Sequence, residues 1–326
     1  MENNKLSRLG EFELIDWIRR QTGTSAQLLQ GIGDDCAVQR QESGLELLTT
    51  TDLLIESIHF NPGWTTYYQL GRKAAAVNLS DIAAMGGRPE SLFLAIGRPV
   101  ALGDLELQEL LSGFLFETQL QGAVLAGGDS CASPGPLFLS VTAQGRIAAG
   151  EAIYRSGAGS GEAIYVSGTL GDSALALREL QAGRQPEEAL VARFHTPTPR
   201  VELGQQLAQR RLATAMLDIS DGLVGDLGHI LHASAVGAEL ELDRIPLSQP
   251  FSRALQAEAT LIDLALVGGE DYELLFTSPL MDLAESSTLP VKVTRVGTIS
   301  PQPGLRVQQT DGRLYHCRQG AFDHFT

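Results

Sequence analysis

Two hydrophobic periods alternate along the chain. Phe12, Ile15 and Ile18 recur at helical spacing and predict a helix over residues 11–21. Residues 45–51 read as a strand running straight into Asp52. Residues 66–85 form a long alanine-rich helical stretch, ended by Gly86-Gly87. A short apolar strand over 91–96, a helix over 105–120 and a buried strand over 123–126 follow, the last ending at Gly127-Gly128-Asp129. Residues 137–144 alternate as a strand. The run Arg155-Ser156-Gly157-Ala158-Gly159-Ser160-Gly161 has turn composition and sets a boundary, giving expected domains 1–148 and 149–326. The pattern then restarts: a strand over 163–166, helices over 172–180 and 199–209, a strand over 213–217, a helix over 223–233, and strands over 239–242, 272–276 and 291–296. Both halves mix helices with strands, which predicts an α+β fold of two mixed α/β domains rather than one doubly wound sheet.

Composition narrows the function classes. The 326 residues are 43% hydrophobic with a formal net charge of −15 and no Lys/Arg block. Nucleic-acid binding needs a basic footprint and is therefore not expected. No apolar run approaches a membrane span, and Met1-Glu2-Asn3-Asn4-Lys5 lacks the apolar core of a leader, so a cytoplasmic protein is expected. Cys36, Cys131 and Cys317 are far apart and form no C-x-x-C pair, which argues against disulfides and zinc.

The chemistry lies in acidic clusters beside glycine or small hydroxyl residues: Gly31-Ile32-Gly33-Asp34-Asp35, Thr49-Thr50-Thr51-Asp52, Asn78-Leu79-Ser80-Asp81, Gly127-Gly128-Asp129-Ser130, Asp218-Ile219-Ser220-Asp221-Gly222 and Gly268-Gly269-Glu270-Asp271. Each has an ordinary reading: a tight turn for Asp34-Asp35 and Asp129, a cap for Asp52, Ser220 and Asp221, a salt bridge for Asp81. Together they describe one site. Crowded carboxylates repel unless a cation lies among them, and Mg²⁺ prefers oxygen ligands while keeping positions for phosphate oxygens. A site with several Mg²⁺ ions acting on a polyphosphate is the expectation, and it reconciles phosphate binding with an acidic chain. Gly157-Ala158-Gly159-Ser160-Gly161 precedes a strand and is no dinucleotide fingerprint; no P-loop is present; His229 and His232 lack a third ligand.

These motifs, in this order over roughly residues 10–325, resemble the thiamine-monophosphate kinase family. Further matching segments are Gly10-Glu11-Phe12, His59-Phe60, Arg155-Ser156-Gly157-Ala158 and Asp323-His324-Phe325. The resemblance implies an N-terminal domain of the aminoimidazole ribonucleotide synthetase-like type for metal, ATP and dimerisation, and a C-terminal domain for nucleotide and substrate contacts. It implies a homodimer and transfer of the ATP γ-phosphoryl group to thiamine monophosphate. By position it implies Asp35, Thr50, Thr51, Asp52, Asp81, Asp129, Asp218 and Asp221 as magnesium ligands, with Asp52, Asp81, Asp129 and Asp218 central to catalysis. Gly128, Asp129, Arg155 and Ser220 correspond to nucleotide contacts, and His59, Glu270 and Phe322 to substrate contacts. Ser130 and Gly87 depart from the threonine and alanine usual there. Another ATP-dependent enzyme of the superfamily, or a silent thiamine-phosphate or nucleotide sensor, are the alternatives.

Overall fold

Alternation over the threonine-rich segment produces the strand on which the first sheet is built. In the computed structural model, which describes residues 10–317 apart from 24, 43 and 284–287, this strand is β3 (Leu45–Ile55). It joins β1 (Leu28–Gln30), β2 (Ala37–Arg40), β4 (Arg88–Pro99), β5 (Val124–Ser133) and β6 (Phe138–Ala148) in a six-stranded sheet of order β1-β2-β3-β6-β4-β5. Only the β4–β5 pair is parallel. Leu48, Leu54, Leu92, Leu94, Leu139 and Val141 are buried on the face covered by α2 (Tyr67–Ala84) and α3 (Asp104–Leu120). Leu53 and Phe93 are exposed on the other face, and Val124 is exposed on the edge strand.

The second sheet has seven strands: β7 (Ala163–Ser167), β8 (Ala215–Asp218), β9 (Gly237–Glu241), β10 (Leu274–Ser278), β11 (Val293–Ser300), β12 (Gly304–Gln308) and β13 (Leu314–Tyr315). Their order is β13-β12-β9-β11-β7-β10-β8. Around it lie α4 (Asp172–Gln181), α5 (Glu188–His195), α6 (Val201–Gln209), α7 (Leu223–Ser234), α8 (Gln249–Ala257) and α9 (Ile262–Val267). The amphipathic α1 (Glu11–Gln21) buries none of its residues, although the Phe12 ring meets the ring of His229 on α7 at 5.5 Å. No helix among the described residues is long and apolar enough to cross a membrane.

Helix α2 is the axis of the molecule. Thr66 caps it: its hydroxyl accepts the Gln69 N–H at 3.2 Å, and Gln69 Oε1 accepts the Thr66 N–H at 3.0 Å. Small residues let its neighbours approach to backbone distance. A Cβ on Gly71 would lie 1.9 Å from Leu110 O of α3, and one on Gly204 of α6 would lie 2.1 Å from Ala83 O. One hydrophobic cluster therefore runs from Leu48 and Leu92 through Leu70 and Leu79 to Leu207, Met216 and Phe276 of the second half.

The two mixed α/β halves expected from the pattern are present, with three corrections that bear on function. Asp52 lies inside β3 rather than at its end, because the alternation continues through Leu54. The strand carrying Gly127-Gly128-Asp129 runs on to Ser133 and is an exposed edge, not a buried strand ending at the glycines. β10 starts at Leu274, because 270–272 turn through left-handed backbone with φ of 67° at Glu270 and 50° at Tyr272. Helices α5, α8 and α9 and strands β1, β2, β12 and β13 were not anticipated; they are short, and too few residues carry their period.

Candidate active site

The β3 alternation sorts the threonine-aspartate run by face. Thr50 and Asp52 share the α2 side with Leu48 and Leu54, whereas Thr51 is exposed on the opposite side. Asp81, in the last turns of α2, faces this strand, and Thr50 Oγ1 donates to Asp81 Oδ2 at 2.5 Å. Asp218 arrives from the end of β8, and Asp35 from the turn before β2. Ligand oxygens of Asp35, Asp81 and Asp218 all lie within 4.8 Å of one another.

Arg155, from the segment joining the sheets, closes this group from one side. Its Nη2 donates to Asp35 Oδ1 at 2.5 Å and its Nε at 3.2 Å, while its backbone N–H donates to Asp34 Oδ1 at 3.2 Å. This single cation does not neutralise the cluster. Burial and the nearby Asp35 charge push Asp34 up to about 7 and Asp52 up to about 6. Burial, then Asp35, pushes Asp218 up to about 7. Asp81 is raised well above its ordinary value by burial and by Asp52, Asp218 and Asp35. Burial and the same acids push the Cys36 thiol up. Asp35 Oδ2 and Asp218 Oδ2 are buried without a hydrogen-bond partner.

Orphaned buried carboxylate oxygens next to mutually repelling acids are costly unless a cation completes them. The donor set is all oxygen, which suits a hard divalent ion and disfavours a soft one. Asp35, Asp81 and Asp218, with Asp52 beside them, are the residues that can hold such an ion.

A second layer comes from the loop 268–273. The Glu270 N–H donates to Ser220 O at 2.7 Å and the Tyr272 N–H to Ile219 O at 2.8 Å. The loop is thereby strapped to the Asp218–Gly222 turn, which explains how left-handed backbone persists at two non-glycine residues. Gly222 also has positive φ, 107°, and a Cβ there would lie 2.7 Å from the Val267 carbonyl carbon. Beyond it, the buried Asp226 of α7 accepts the backbone N–H groups of Asp221 and Gly222, each at 3.0 Å. Glu270 Oε1 pairs with Lys73 Nζ at 2.7 Å. Burial, then Glu270, Asp52, Asp218 and Asp221, push the Tyr272 phenol up.

The other expected site residues are distributed differently. His59 is in the turn after β3, where its Nδ1 accepts the Ile55 N–H at 3.0 Å. Thr51 Oγ1 donates to Val141 O at 2.9 Å across the sheet, away from the carboxylates. Gly128 pairs so closely with β4 that a Cβ would lie 1.9 Å from Leu94 O. Asp129 is exposed, its Oδ1 accepts the Ser130 N–H at 2.9 Å, and strand register puts it in a row with Leu53, Ser140 and Ala95. That row belongs to the outer face, so this chain does not bring Asp129 to the Asp35–Asp81–Asp218 group. Phe322 and the Asp323-His324-Phe325 segment lie outside the described residues. Lys73, Asp226 and Tyr272 are additions. Lys73 left a trace in the sequence, as a cation directly before the run of small apolar residues that begins at Ala74 within a long helical stretch.

Comparison with known proteins agrees with this architecture. Residues 33–147 match the family model of the AIR synthase related protein N-terminal domain, and residues 159–309 that of the C-terminal domain. The thiamine-monophosphate kinase of Salmonella typhimurium is 40% identical over 329 residues, covering 97% of this chain and 98% of that protein. The solved structure of AaThiL complexed with AMPPCP and TMP superposes with a TM-score of 0.85 at 32% identity, covering 98% of this chain and 99% of that one. The thiamine-monophosphate kinase structure from Stenotrophomonas maltophilia is 40% identical, with a TM-score of 0.76 over 94% of this chain and 98% of that one. Matched in order in both halves, and along nearly its whole length by a relative of 40% identity, the chain belongs to the thiamine-monophosphate kinase family.

Proposed function

We propose that the protein transfers the γ-phosphoryl group of ATP directly to the phosphate of thiamine monophosphate, giving ADP and thiamine diphosphate. The observation that carries this reading is the convergence of Asp35, Asp81 and Asp218 from three separate elements, two of them with orphaned oxygens, in a chain of this family. AMPPCP and TMP bound to the related AaThiL support the same pair of substrates.

The acceptor is a phosphate monoester with a second pKa near ~6, already largely ionised at neutral pH. No strong base is required, and the task left to the protein is to align two polyanions in an acidic cleft. Asp35, Asp52, Asp81 and Asp218 would hold the Mg²⁺ ions, with Thr50 orienting Asp81. When bound, Mg²⁺ neutralises phosphate oxygens and stabilises the charge on the leaving group. Arg155 keeps 25% of its side chain accessible while clamped to Asp35, so it can meet nucleotide phosphates without changing rotamer. Ser220 and Asp221, at the entrance to α7, extend the phosphate-facing surface. Glu270 would face the cationic rings of the acceptor, and His59 would supply a further substrate contact, the roles the family resemblance gives them.

Thr51 and Asp129 lie on the outer face of the first sheet, which also exposes Leu53 and Phe93 beside the edge of β5, unpaired among the described residues. We infer a homodimer that covers this face, with Asp129 and Gly128 of one copy serving the site of the other. ATP chemistry and three free cysteines support a cytoplasmic enzyme.

A ³¹P NMR assay with ATP, Mg²⁺ and thiamine monophosphate tests the reaction. A new diphosphate signal rising with stoichiometric ADP is the expected result; ADP with inorganic phosphate alone would refute the acceptor. Light scattering tests the assembly: the wild type is expected at twice the mass of the chain, and Phe93→Glu at the monomer mass with little activity. A fully active monomer would remove the dimer from the mechanism.

A further inference from the structure

Lys73 has no part in the phosphate chemistry, yet it is among the most deeply buried charged side chains, with 5% of its side chain exposed. Lys73, Val77 and Asp81 follow one another at i, i+4 and i+8 on α2, with Asp81 at the other end of that stripe. Eight residues of helical rise separate the two by about 12 Å. A buried ammonium needs partners. Lys73 finds two: Glu270 Oε1 at 2.7 Å, and the face of the Phe194 ring, 4.2 Å from Nζ to the centroid. His195 lines the same small cavity together with Phe60 and is held neutral by burial and by the Lys73 charge, its pKa lowered to about 4. The neighbouring imidazole therefore adds no competing cation, and the ammonium is directed at Glu270.

Glu270 is the residue that benefits. Its backbone is left-handed and tied by its N–H to Ser220 O, and its carboxylate is tied to α2 through Lys73. Both ends of the residue are fixed, while 28% of its side chain stays accessible. Phe60, which closes the cavity beneath Lys73, adjoins His59, the other residue read as a substrate contact.

We propose that Lys73 is a positioning residue for the acceptor: it holds the Glu270 carboxylate toward the cationic rings of thiamine monophosphate, while Asp81 on the same helix governs the phosphate end. The inference rests on the kinase reading. Helix α2 then orients the acceptor by its two ends without touching it at Lys73.

The test is steady-state kinetics with each substrate varied in turn, on the wild type, Lys73→Met, Lys73→Arg, Glu270→Gln and the double variant Lys73→Met with Glu270→Gln. Lys73→Met is expected to raise KM for thiamine monophosphate about ten-fold, with KM for ATP within about two-fold of wild type. Lys73→Arg, which keeps the charge and the ring contact, is expected to recover most of that loss. The double variant is expected to match Glu270→Gln alone, because the two changes disable one device. Wild-type KM for thiamine monophosphate in Lys73→Met, or equal losses for both substrates, overturns the inference and leaves the kinase reading standing. A wild type that does not phosphorylate thiamine monophosphate overturns both. Should Lys73→Met not fold, Lys73→Gln is judged by the same split between the two KM values.

Discussion

Asp81→Asn is expected to lower turnover about 10²–10³-fold while raising the melting temperature of the metal-free protein. Activity falls because Asp81 is the carboxylate on which the site converges: Thr50 orients it, and Asp35 and Asp218 share its space. An amide keeps the shape and removes the charge that holds a cation. Stability moves the other way, because in the metal-free state that charge is buried among Asp52, Asp218 and Asp35 and has no cation of its own. The sign follows from linkage. A carboxyl group whose folded-state pKa is raised keeps its proton in the native chain over a range where the unfolded chain has released it. Native stability therefore declines as pH rises from about 4 through the folded-state values, about 6 for Asp52 and about 7 for Asp218. Wild type in a chelator should melt higher at pH 5.5 than at pH 7.5, an interval chosen to span those values. Mg²⁺ should remove most of the difference, and Asp81→Asn should reduce it. Thermal melts with and without Mg²⁺, alongside turnover, check both halves. A variant that loses activity and also loses metal-free stability would mean that Asp81 is held by something other than a bound ion.

Glu273→Gln is expected to destabilise the fold by about 3–5 kcal/mol, the largest loss for a residue outside the acidic cluster. Glu273 is fully buried and accepts from Arg193 Nη2 at 2.6 Å, Arg200 Nε at 2.6 Å and the Ser167 hydroxyl. It joins α5, the start of α6 and strand β7, with Leu274 N–H donating to the same serine at 2.9 Å. Neutralising it leaves two guanidinium groups facing each other with no anion between them. Replacing all three charges by apolar residues is expected to cost much less, since breaking such a group is worse than never having built it. Urea unfolding decides: the midpoint should fall with little change in slope. A loss below about 1 kcal/mol would show that water reaches the arginines and that this group is a surface pair in energetic terms.

What could be read from the chain alone depended on range. Asp35, Asp52, Asp81 and Asp218 were visible because each sits in a short cluster with glycine or a hydroxyl residue, a signal contained within a few residues. The length of α2 was visible for the same reason. Thr50 and Thr51 could not be told apart, because a period of two needs a register, and that is set by pairing with β6, where Thr50 meets Ala143 and Thr51 meets Thr142. Asp129 looked like a turn residue because nothing local reveals that a strand passes through two glycines along an open edge. The Lys73–Glu270 and Arg193–Glu273–Arg200 contacts join distant parts of the chain, and only the fold makes them neighbours.

The burial of most of α2 between the two halves has a further consequence. Its apolar residues are shared between both sheets, since Leu70 and Leu79 belong to the same packed cluster as Leu207 and Met216. Neither lobe would keep a closed interior if the other were cut away: the first would expose a stripe of alanine and leucine, and the second would lose the helix on which α6 rests. The segment 149–162 therefore separates two sheets without separating two foldable pieces. Hydrogen exchange should report one cooperative opening across both, and fragments split there should regain structure only when mixed.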